Sequence, residues 1–337
     1  MISTNKVTIE DIAKKANVSI ATVSRIINNK GSVKKETHQR VLEVMEELNF
    51  HPYTNKNLAS TKSSTILMCV PEIRNPFFST VIDGVQKSAY RHNYHVLLLQ
   101  AKDLYTEFED FAAILRSQSI AGVILLSHVT SAKLAADLNF CCPVVMCSEY
   151  CEEADMSFVS IDDDAAAQRA TEYLISTGCK RIALINSSLK NRYARHREKG
   201  YRRAMEKAGL TVNESWIVHL SSVSYDLALS NALHILSLPE RPEAFFTVSD
   251  VYAIGVIKAA QKRGLRVPDD ISVVGFDNLD LSAMITPALT TIEQPSYQIG
   301  YQSCELLIEK IEKPQSESKK IILDTELIVR DSTTLKI

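Results

Sequence analysis

Between residues 19 and 28 the chain places short polar side chains and one arginine along the exposed side of a predicted helix. The guanidinium of Arg25 can donate two parallel hydrogen bonds to a guanine edge, and Ile20 and Ala21 can contact thymine methyl groups. Hydroxyl and amide side chains bind phosphate oxygens and thereby fix the register of a protein on a duplex. The candidates for that second role are Thr8, Ser19, Thr22, Ser24 and Asn28. The pattern predicts a recognition helix in the major groove of DNA, with a plain amphipathic helical hairpin as the open alternative.

Two helices joined by a tight turn are predicted over the segment from Val7 to Asn28. Thr8 is a candidate N-cap of the first helix, and Ser19 is a candidate N-cap of the second. Asn17 stands where the chain must turn, and asparagine tolerates the left-handed conformation that such a turn needs. With a third helix over about residues 34–49, the segment predicts an all-α helix-turn-helix head.

Polar and aromatic side chains also follow several predicted strands in the rest of the chain. Asn75, Phe77 and Phe78 follow the first strand, and Asp250 and Asp277 follow two later ones. Ligands of parallel sheets bind beyond the carboxyl ends of the strands, so we expect a small-molecule site there. Each of these residues could also have a purely structural role. One of the two phenylalanine rings could pack into the core, Asp250 could cap a helix, and Asp277 could stabilise a turn.

Short apolar runs alternate with amphipathic segments after residue 64, which predicts doubly wound parallel sheets covered by helices on both faces. The predicted strands cover residues 66–70, 95–100, 122–126, 144–147, 158–161, 181–185, 244–248 and 272–275. The predicted helices between them include residues 81–91, 164–177, 199–208, 225–237 and 250–263.

The charge of the chain is unevenly distributed. The net charge is -2 overall, but residues 1–62 contain ten basic and six acidic residues. That segment therefore carries about +4, and the remainder about -6. A small basic head attached to an acidic body is typical of a nucleic-acid-binding domain joined to a second functional unit.

Sequence signatures of enzymes and metal sites are missing from the chain. It contains no glycine-rich phosphate-binding motif and no Gly-x-Ser-x-Gly, and only ten glycines in all. The seven cysteines include no Cys-x2-Cys pair, which argues against a zinc site and favours free thiols in a reducing compartment. We therefore expect no cofactor, no metal and no catalytic residues.

Eight stretches, spread over nearly the whole chain, contain motifs that occur in the same order in one known protein family. They are Val7–Asn28, Val41–Pro52, Asn75-Pro76-Phe77-Phe78, Gly178–Ala183, Ser249-Asp250 with Gly255, Val274–Asp277, Pro287 to Pro295, and Val329–Ser332. In these stretches the chain resembles the LacI/GalR family of bacterial transcription regulators. The resemblance implies a helix-turn-helix head, a short hinge helix, and a two-lobed α/β domain of the type I periplasmic-binding-protein kind.

Combining the resemblance with the composition of the chain predicts three units. The head covers residues 1–50, a hinge or linker covers 51–63, and the effector-binding and dimerisation domain covers 64–337. Within that domain we expect one lobe at about residues 64–160 and 293–320. The other lobe is expected at about 161–292 and 321–337.

For DNA binding, the resemblance implies that Ile20, Ala21 and Arg25 occupy base-reading positions. It also implies that Leu58 is the hinge leucine that enters the minor groove. Family hinges usually have seven steps from proline to leucine, whereas Pro52 and Leu58 are six apart. Asn55 and Lys56 stand at the usual alanine and arginine positions, and asparagine is a poorer helix former than alanine by a few tenths of a kcal/mol. We therefore expect a weaker or differently registered hinge, with Lys56 and Leu58 as its DNA contacts.

For the effector, Arg197 matches the family arginine that binds hydroxyl or carboxylate groups, with Arg192, Arg195 and His196 as open alternatives nearby. Glu149 is a further candidate. It stands where most relatives have the arginine of an Asp-Arg pair. A carboxylate in place of a cation is unusual for a neutral-sugar pocket. Several arginines are expected across the pocket from Glu149. The candidate effectors are therefore a sugar acid or a sugar phosphate as well as a neutral sugar.

These observations predict a sequence-specific DNA-binding regulator, a repressor, that binds a double-stranded operator as a homodimer. A small carbohydrate-like effector between the lobes would control operator affinity allosterically. The alternative is a transport-type sugar-binding protein without DNA function, against which the basic head and the lack of a secretory signal both argue. We expect a cytoplasmic protein without membrane contact, and a dimer because no leucine heptads follow Ser332.

Overall fold

The structure is a computed structural model that describes residues 8–27, 33–48, 64–101, 115, 120–127, 138 and 142–335. Three residues with predicted DNA contacts, Asn28, Lys56 and Leu58, lie outside these ranges. In chain order the helices are α1 (Ile9–Lys15), α2 (Ile20–Ile27), α3 (Lys35–Glu47), α4 (Pro76–Arg91), α5 (Asp163–Ser176), α6 (Arg192–Lys207), α7 (Tyr225–Ile235), α8 (Asp250–Lys262), α9 (Asp280–Met284) and α10 (Ser296–Glu312).

The strands form two sheets. In chain order they are β1 (Thr65–Val70), β2 (His95–Gln100), β3 (Ile120–Leu125), β4 (Val144–Cys147), β5 (Phe158–Ile161), β6 (Ile182–Ser187), β7 (Ile217–Leu220), β8 (Ala244–Thr247), β9 (Ser272–Asp277), β10 (Thr290–Glu293), β11 (Lys320–Leu323) and β12 (Glu326–Ile328). The first sheet has the order β11-β5-β4-β3-β1-β2, and the second has the order β12-β10-β9-β8-β6-β7.

The head is a three-helix unit with its own core. Ile12, Val23 and Val41, one from each helix, are fully buried together. Asn17 adopts a φ of 51°, so the predicted left-handed turn residue is confirmed. A backbone bond of 2.9 Å from the N–H of Val18 to the carbonyl of Ala13 closes the turn between α1 and α2.

Each sheet belongs to one lobe, and helices pack against both. Helices α4 and α10 lie together on the first sheet, and α5 packs with α6 beside the second. Glycines permit the first of these contacts: a Cβ on Gly84 would come within 2.1 Å of the Tyr297 carbonyl oxygen, and one on Gly300 within 2.0 Å of that of Val81. Substituting either glycine would therefore force the two helices apart.

The chain passes between the lobes after β5, after β10 and again after β11. All paired strands of the first sheet run parallel, and in the second sheet only the β10–β12 pair is antiparallel. β11 pairs with β5, which places the last crossing after Leu323. The boundary that we predicted at residues 320/321 is thus about three residues early, because β11 is short and its half-exposed residues give little sequence signal.

Helix α6 is longer than predicted. Its sequence pattern indicated a helix only from residue 199, whereas the helix begins at Arg192. The first two turns carry arginine, tyrosine and histidine rather than an apolar stripe, so hydrophobic periodicity could not reveal them. Arg197 therefore lies in the second turn of this helix. In the described part of the chain, no helix has both the length and the apolarity to cross a bilayer.

Candidate nucleic-acid interface and ligand cleft

The first helix of the head begins at a reciprocal cap. The Thr8 hydroxyl accepts a hydrogen bond from the Asp11 N–H at 3.3 Å, while the Asp11 carboxylate accepts from the Thr8 N–H at 2.8 Å. This capping box satisfies two of the backbone groups that a helix start leaves unpaired. Thr8 is therefore an N-cap, as predicted, and it is exposed on the surface of the head.

Helix α2 presents one polar face and buries the other. Ser19 caps it, accepting a hydrogen bond from the Thr22 N–H at 3.1 Å. Val23, Ile26 and Ile27 are buried, as predicted from their spacing. On the opposite face Ala21 and Arg25 are exposed, and Ile20 is 51% exposed, which is unusual for a large apolar side chain. The predicted base-reading residues thus lie on the accessible side of a helix whose other side is packed into the core of the head.

The loop after β1 places Phe77 and Phe78 differently, and so answers which of the two rings packs into the core. Asn75 caps α4 by accepting a hydrogen bond from the Phe77 N–H at 3.1 Å. Phe77 is buried in the core, whereas Phe78 is only half-buried, with the ring centroids 5.5 Å apart in an edge-on contact. Only Phe78 therefore keeps surface available to a ligand.

Glu149, at the end of β4, caps a helix of the other lobe. Its carboxylate oxygens accept hydrogen bonds from the backbone N–H groups of Arg192 and Tyr193, each at 3.1 Å. Asn191, which occupies the N-cap position of α6, makes no side-chain cap bond of its own. The candidate effector residue of the first lobe is thus joined to the start of α6 in the second lobe.

Two buried arginines share one carboxylate beside this contact. Asp163 Oδ2 accepts from Arg192 Nη2 at 2.6 Å, and Asp163 Oδ1 accepts from Arg197 Nε at 2.8 Å. Burial disfavours the charge of Arg192, but Asp163 and Glu149 outweigh it and raise the pKa of the guanidinium. Arg195, by contrast, is exposed. Among the candidate effector residues Arg192, Arg195, His196 and Arg197, only Arg192 and Arg197 are buried beside Asp163, and which of the four binds an effector stays a prediction.

Aromatic rings hold both guanidiniums in place. The Arg197 guanidinium carbon lies 3.5 Å from the ring centroid of Phe276 and 4.9 Å from that of Tyr193. The guanidinium carbon of Arg192 lies 4.1 Å from the ring centroid of Tyr150. Cation–π contacts of this kind gain strength away from water, so each arginine is fixed by rings as well as by Asp163.

Asp277 sits at the end of β9 with a φ of 114°, a conformation that is rare outside glycine. Its carboxylate accepts hydrogen bonds from Ser249 Oγ at 3.1 Å and from Gln294 Nε2 at 2.6 Å. Burial raises the pKa of Asp277, and the nearby Arg197 opposes that shift. Within the described residues the buried oxygen of Gln294, Oε1, has no hydrogen-bond partner. This corner therefore holds one buried hydrogen-bond acceptor that the described residues leave unused.

Asp250 has a positioning role rather than the ligand contact that we expected. It is fully buried, and its carboxylate accepts from Ser282 Oγ and Thr291 Oγ1, both at 2.6 Å, and from the Leu279 N–H at 2.8 Å. Burial raises its pKa. It is also not the cap of α8, because Ser249 occupies that position. Asp250 ties the start of α8 to α9, to the residue before it, and to β10.

Several residues that take part in these contacts were not among the predicted ligands: Ser160, Asp163, Tyr193, Ser249 and Gln294. Asp163 could have been found, because it follows a strand in the same way as Asp250 and Asp277 do. Gln294 could not, since it follows the short strand β10, which the sequence pattern did not reveal.

Neither metal chemistry nor disulfide chemistry is indicated in the described residues. They contain no cluster of three or more His, Cys, Asp or Glu side chains placed to hold a metal ion. Cys69, Cys147, Cys151 and Cys304 are free thiols, and burial raises the pKa of Cys147 to about 12 and that of Cys304 to about 11. Both thiols therefore remain protonated and unreactive at neutral pH.

Comparison with known proteins matches both parts of the chain. Residues 8–53 match the bacterial regulatory proteins of the lacI family, and residues 171–333 match a periplasmic-binding-protein-like domain. The chain is 35% identical over 329 residues to the transcriptional repressor CytR of Escherichia coli K12, covering 97% of this chain and 96% of the relative. It is 33% identical over 328 residues to the repressor PurR of Vibrio campbellii, covering 96% of this chain and 98% of that relative.

Solved structures agree with this match. A complex of the transcriptional regulator CelR with cellobiose is 27% identical, with a TM-score of 0.74 over 97% of this chain and 100% of that chain. A lacI-family regulator from Enterococcus faecium with bound ribose is 26% identical, with a TM-score of 0.73 over 81% of this chain and 100% of that chain. The predicted fold class, a helical head and a two-lobed α/β domain, is confirmed.

Proposed function

The chain belongs to the lacI family of bacterial regulatory proteins, and from that membership we propose a homodimeric repressor controlled by a neutral, hydroxyl-bearing effector. The exposed face of α2, with Arg25, Ile20 and Ala21, is the single observation that carries the DNA-binding part. Thr8, Ser19, Thr22 and Ser24 are assigned to phosphates, and Asn28, Lys56 and Leu58 keep the roles proposed from the sequence. Because operators lie in the bacterial cytoplasm, the proposal places the protein there.

The interlobe cleft is assigned to effector binding rather than to catalysis. The named relatives are transcriptional repressors, and a transport-type sugar-binding protein, the alternative reading, would not need a helix-turn-helix head. The proposed effector contacts are Phe78, Arg197, Asp277, Ser249 and Gln294, with Asn75 and Asp250 holding the loops that carry them.

The charges of the cleft favour a neutral effector. Arg192 and Arg197, which motivated the expectation of a sugar acid or sugar phosphate, are already paired with Asp163 and Glu149. An added anion would meet the carboxylates of Glu149 and Asp277 without an unpaired cation among the described residues of the cleft. Sugar hydroxyls can instead donate to Asp277 and Gln294, and Phe78 can stack on the ring. The cellobiose and ribose bound to two similar proteins support this class.

A thermal-shift screen of the full chain tests the effector class. We expect neutral sugars and related polyols to include a stabilising compound, and their phosphates and acids to be inactive. At a ligand concentration of 100 Kd, the stabilisation would be about 2.7 kcal/mol, which raises Tm by roughly 5–11 °C for a folding unit of 150–250 residues. Asp277→Asn should abolish the shift while leaving the fold intact. Stabilisation by anionic compounds alone would contradict the proposal.

Dimerisation is proposed through α9 and its surroundings, with a second copy of the chain as the partner. Leu281 and Met284 on α9 are 43% and 73% exposed, so the helix offers an apolar surface to water. Two heads held by such a dimer would match the two halves of a pseudo-palindromic operator.

Sedimentation equilibrium tests the dimer. The wild-type protein should sediment at twice its chain mass of 37.6 kDa, and Met284→Asp should shift it toward the monomer. Leu189→Asp is the matched control, because Leu189 is also an exposed apolar residue, 41% exposed, but lies outside α9. Dissociation of both variants, or of neither, would remove α9 from the interface.

A further inference from the structure

The start of helix α6 is capped across the lobes. The first N–H groups of a helix have no partner within it, and its partial positive charge favours an anion there. In α6 the carboxylate of Glu149 binds two of these groups, those of Arg192 and Tyr193, at 3.1 Å each. Glu149 follows β4 in the first lobe, while α6 packs on β6 in the second. We name this contact the interlobe latch.

A second buried contact supports the latch. The Arg192 side chain reaches from α6 to Ser160 in β5 of the first lobe, with Nη2 3.3 Å from Ser160 Oγ. Glu149, Arg192 and Ser160 are 8%, 2% and 0% exposed, so these bonds are made away from water. Bonds that involve a charged group are about twice as strong as neutral ones, and more so at low dielectric. The latch therefore resists opening more than a surface ion pair would.

A nearby pair provides an internal comparison. Glu152 of the first lobe lies 2.9 Å from His196 of α6, so it also joins the lobes, but its side chain is 55% exposed. Solvent-exposed pairs contribute little to stability. Two glutamates three residues apart thus make interlobe contacts with the same helix, one buried and one in water.

We propose that Glu149 is a built-in ligand: it holds the two lobes together when no effector is bound, and it excludes anions from the start of α6. The effector cleft is then preorganised by the chain itself, and an anionic effector has to displace a carboxylate that is already in place. This inference goes beyond the proposed repressor function, and its first test needs no effector.

Hydrogen exchange of the effector-free protein tests the latch directly. In Glu149→Ala the amides of residues 188–196 should exchange about 10-fold faster than in the wild type, which corresponds to about 1.4 kcal/mol. Small-angle scattering should show a larger radius of gyration. Glu149→Gln, which can still accept one hydrogen bond, should be intermediate. Glu152→Gln is the matched control and should exchange like the wild type.

The fold of each variant is checked by the fluorescence of Trp216, the single tryptophan, which is buried beside β7. Wild-type exchange rates and dimensions in a correctly folded Glu149→Ala would overturn the latch. An equal effect of Glu152→Gln would also overturn it, since generic loss of negative charge would then explain the result.

Sulfate tests the exclusion of anions. In Glu149→Ala the start of α6 loses its carboxylate, and Arg192, whose buried Nε has no hydrogen-bond partner among the described residues, lies beside it. Millimolar sulfate should therefore slow the exchange of residues 188–196 in this variant and leave the wild type unchanged. Equal protection of both proteins, or of neither, would overturn this half of the proposal.

Discussion

Replacing Asp163 with alanine is expected to lower the free energy of unfolding of the second lobe by about 3–5 kcal/mol. The carboxylate is the shared partner of Arg192 and Arg197, and all three side chains are 5% exposed or less. Without it two buried guanidiniums lose their principal counter-ion, and the cost of an uncompensated buried charge far exceeds the net value of a surface pair. Denaturant unfolding followed by Trp216 fluorescence reports on this lobe, because Trp216 lies beside β7.

Asp164→Ala is the matched control for this prediction. The neighbouring carboxylate also pairs with two cations, Lys199 and Arg203, but their side chains are 69% and 37% exposed and remain solvated when it is removed. We expect a loss of about 1 kcal/mol or less. Equal losses in the two variants would show that Asp163 does not act as a shared buried counter-ion.

Replacing Arg25 with alanine is expected to weaken operator binding by about 1–3 kcal/mol and to relax base preference at one position of each half-site. The side chain lies on the exposed face of α2, opposite the buried Val23, Ile26 and Ile27, so its removal leaves the core of the head unchanged. Fluorescence anisotropy with duplexes selected from a random library by the protein itself gives both the affinity and the base preference.

Arg40→Ala on α3 is the control for the loss of charge. Arg40 is exposed as well, and removing it weakens the general attraction to phosphates without touching α2. The two variants should bind random DNA with similar affinity, while only Arg25→Ala loses discrimination between operator and random DNA. If Arg25→Ala weakens both duplexes by the same factor, Arg25 contacts phosphate and reads no base.

Local features of the fold could be predicted from residue types. Asn17 was expected in a left-handed turn because asparagine tolerates that conformation, and Ser19 was expected to cap α2 because its hydroxyl can reach the next turn. Both are observed. Of the central strands, β1, β3, β4, β5, β6, β8 and β9 were also predictable, since strands that are buried on both faces are continuous apolar runs. The short central strand β10 was not, because its buried residues include two threonines.

Features that depend on distant parts of the chain could not be predicted. Glu149 caps a helix 43 residues further along, and no local pattern indicates such a contact. The edge strands β7, β11 and β12 carry half-exposed residues, so their hydrophobic signal is weak. Asp250 followed a strand in the sequence, as a ligand-binding residue would, but only the packed structure shows that its carboxylate points into the protein.

The central claim, that a compound in the cleft controls DNA affinity, is tested most directly by one titration. The full chain is added to a fluorescent duplex of the selected operator, with and without a saturating concentration of the neutral compound that raises Tm. Typical allosteric coupling of 1–3 kcal/mol predicts that the operator Kd changes by about 5–150-fold, with no such change on a scrambled duplex. An operator Kd that is the same with and without the bound compound would contradict the account.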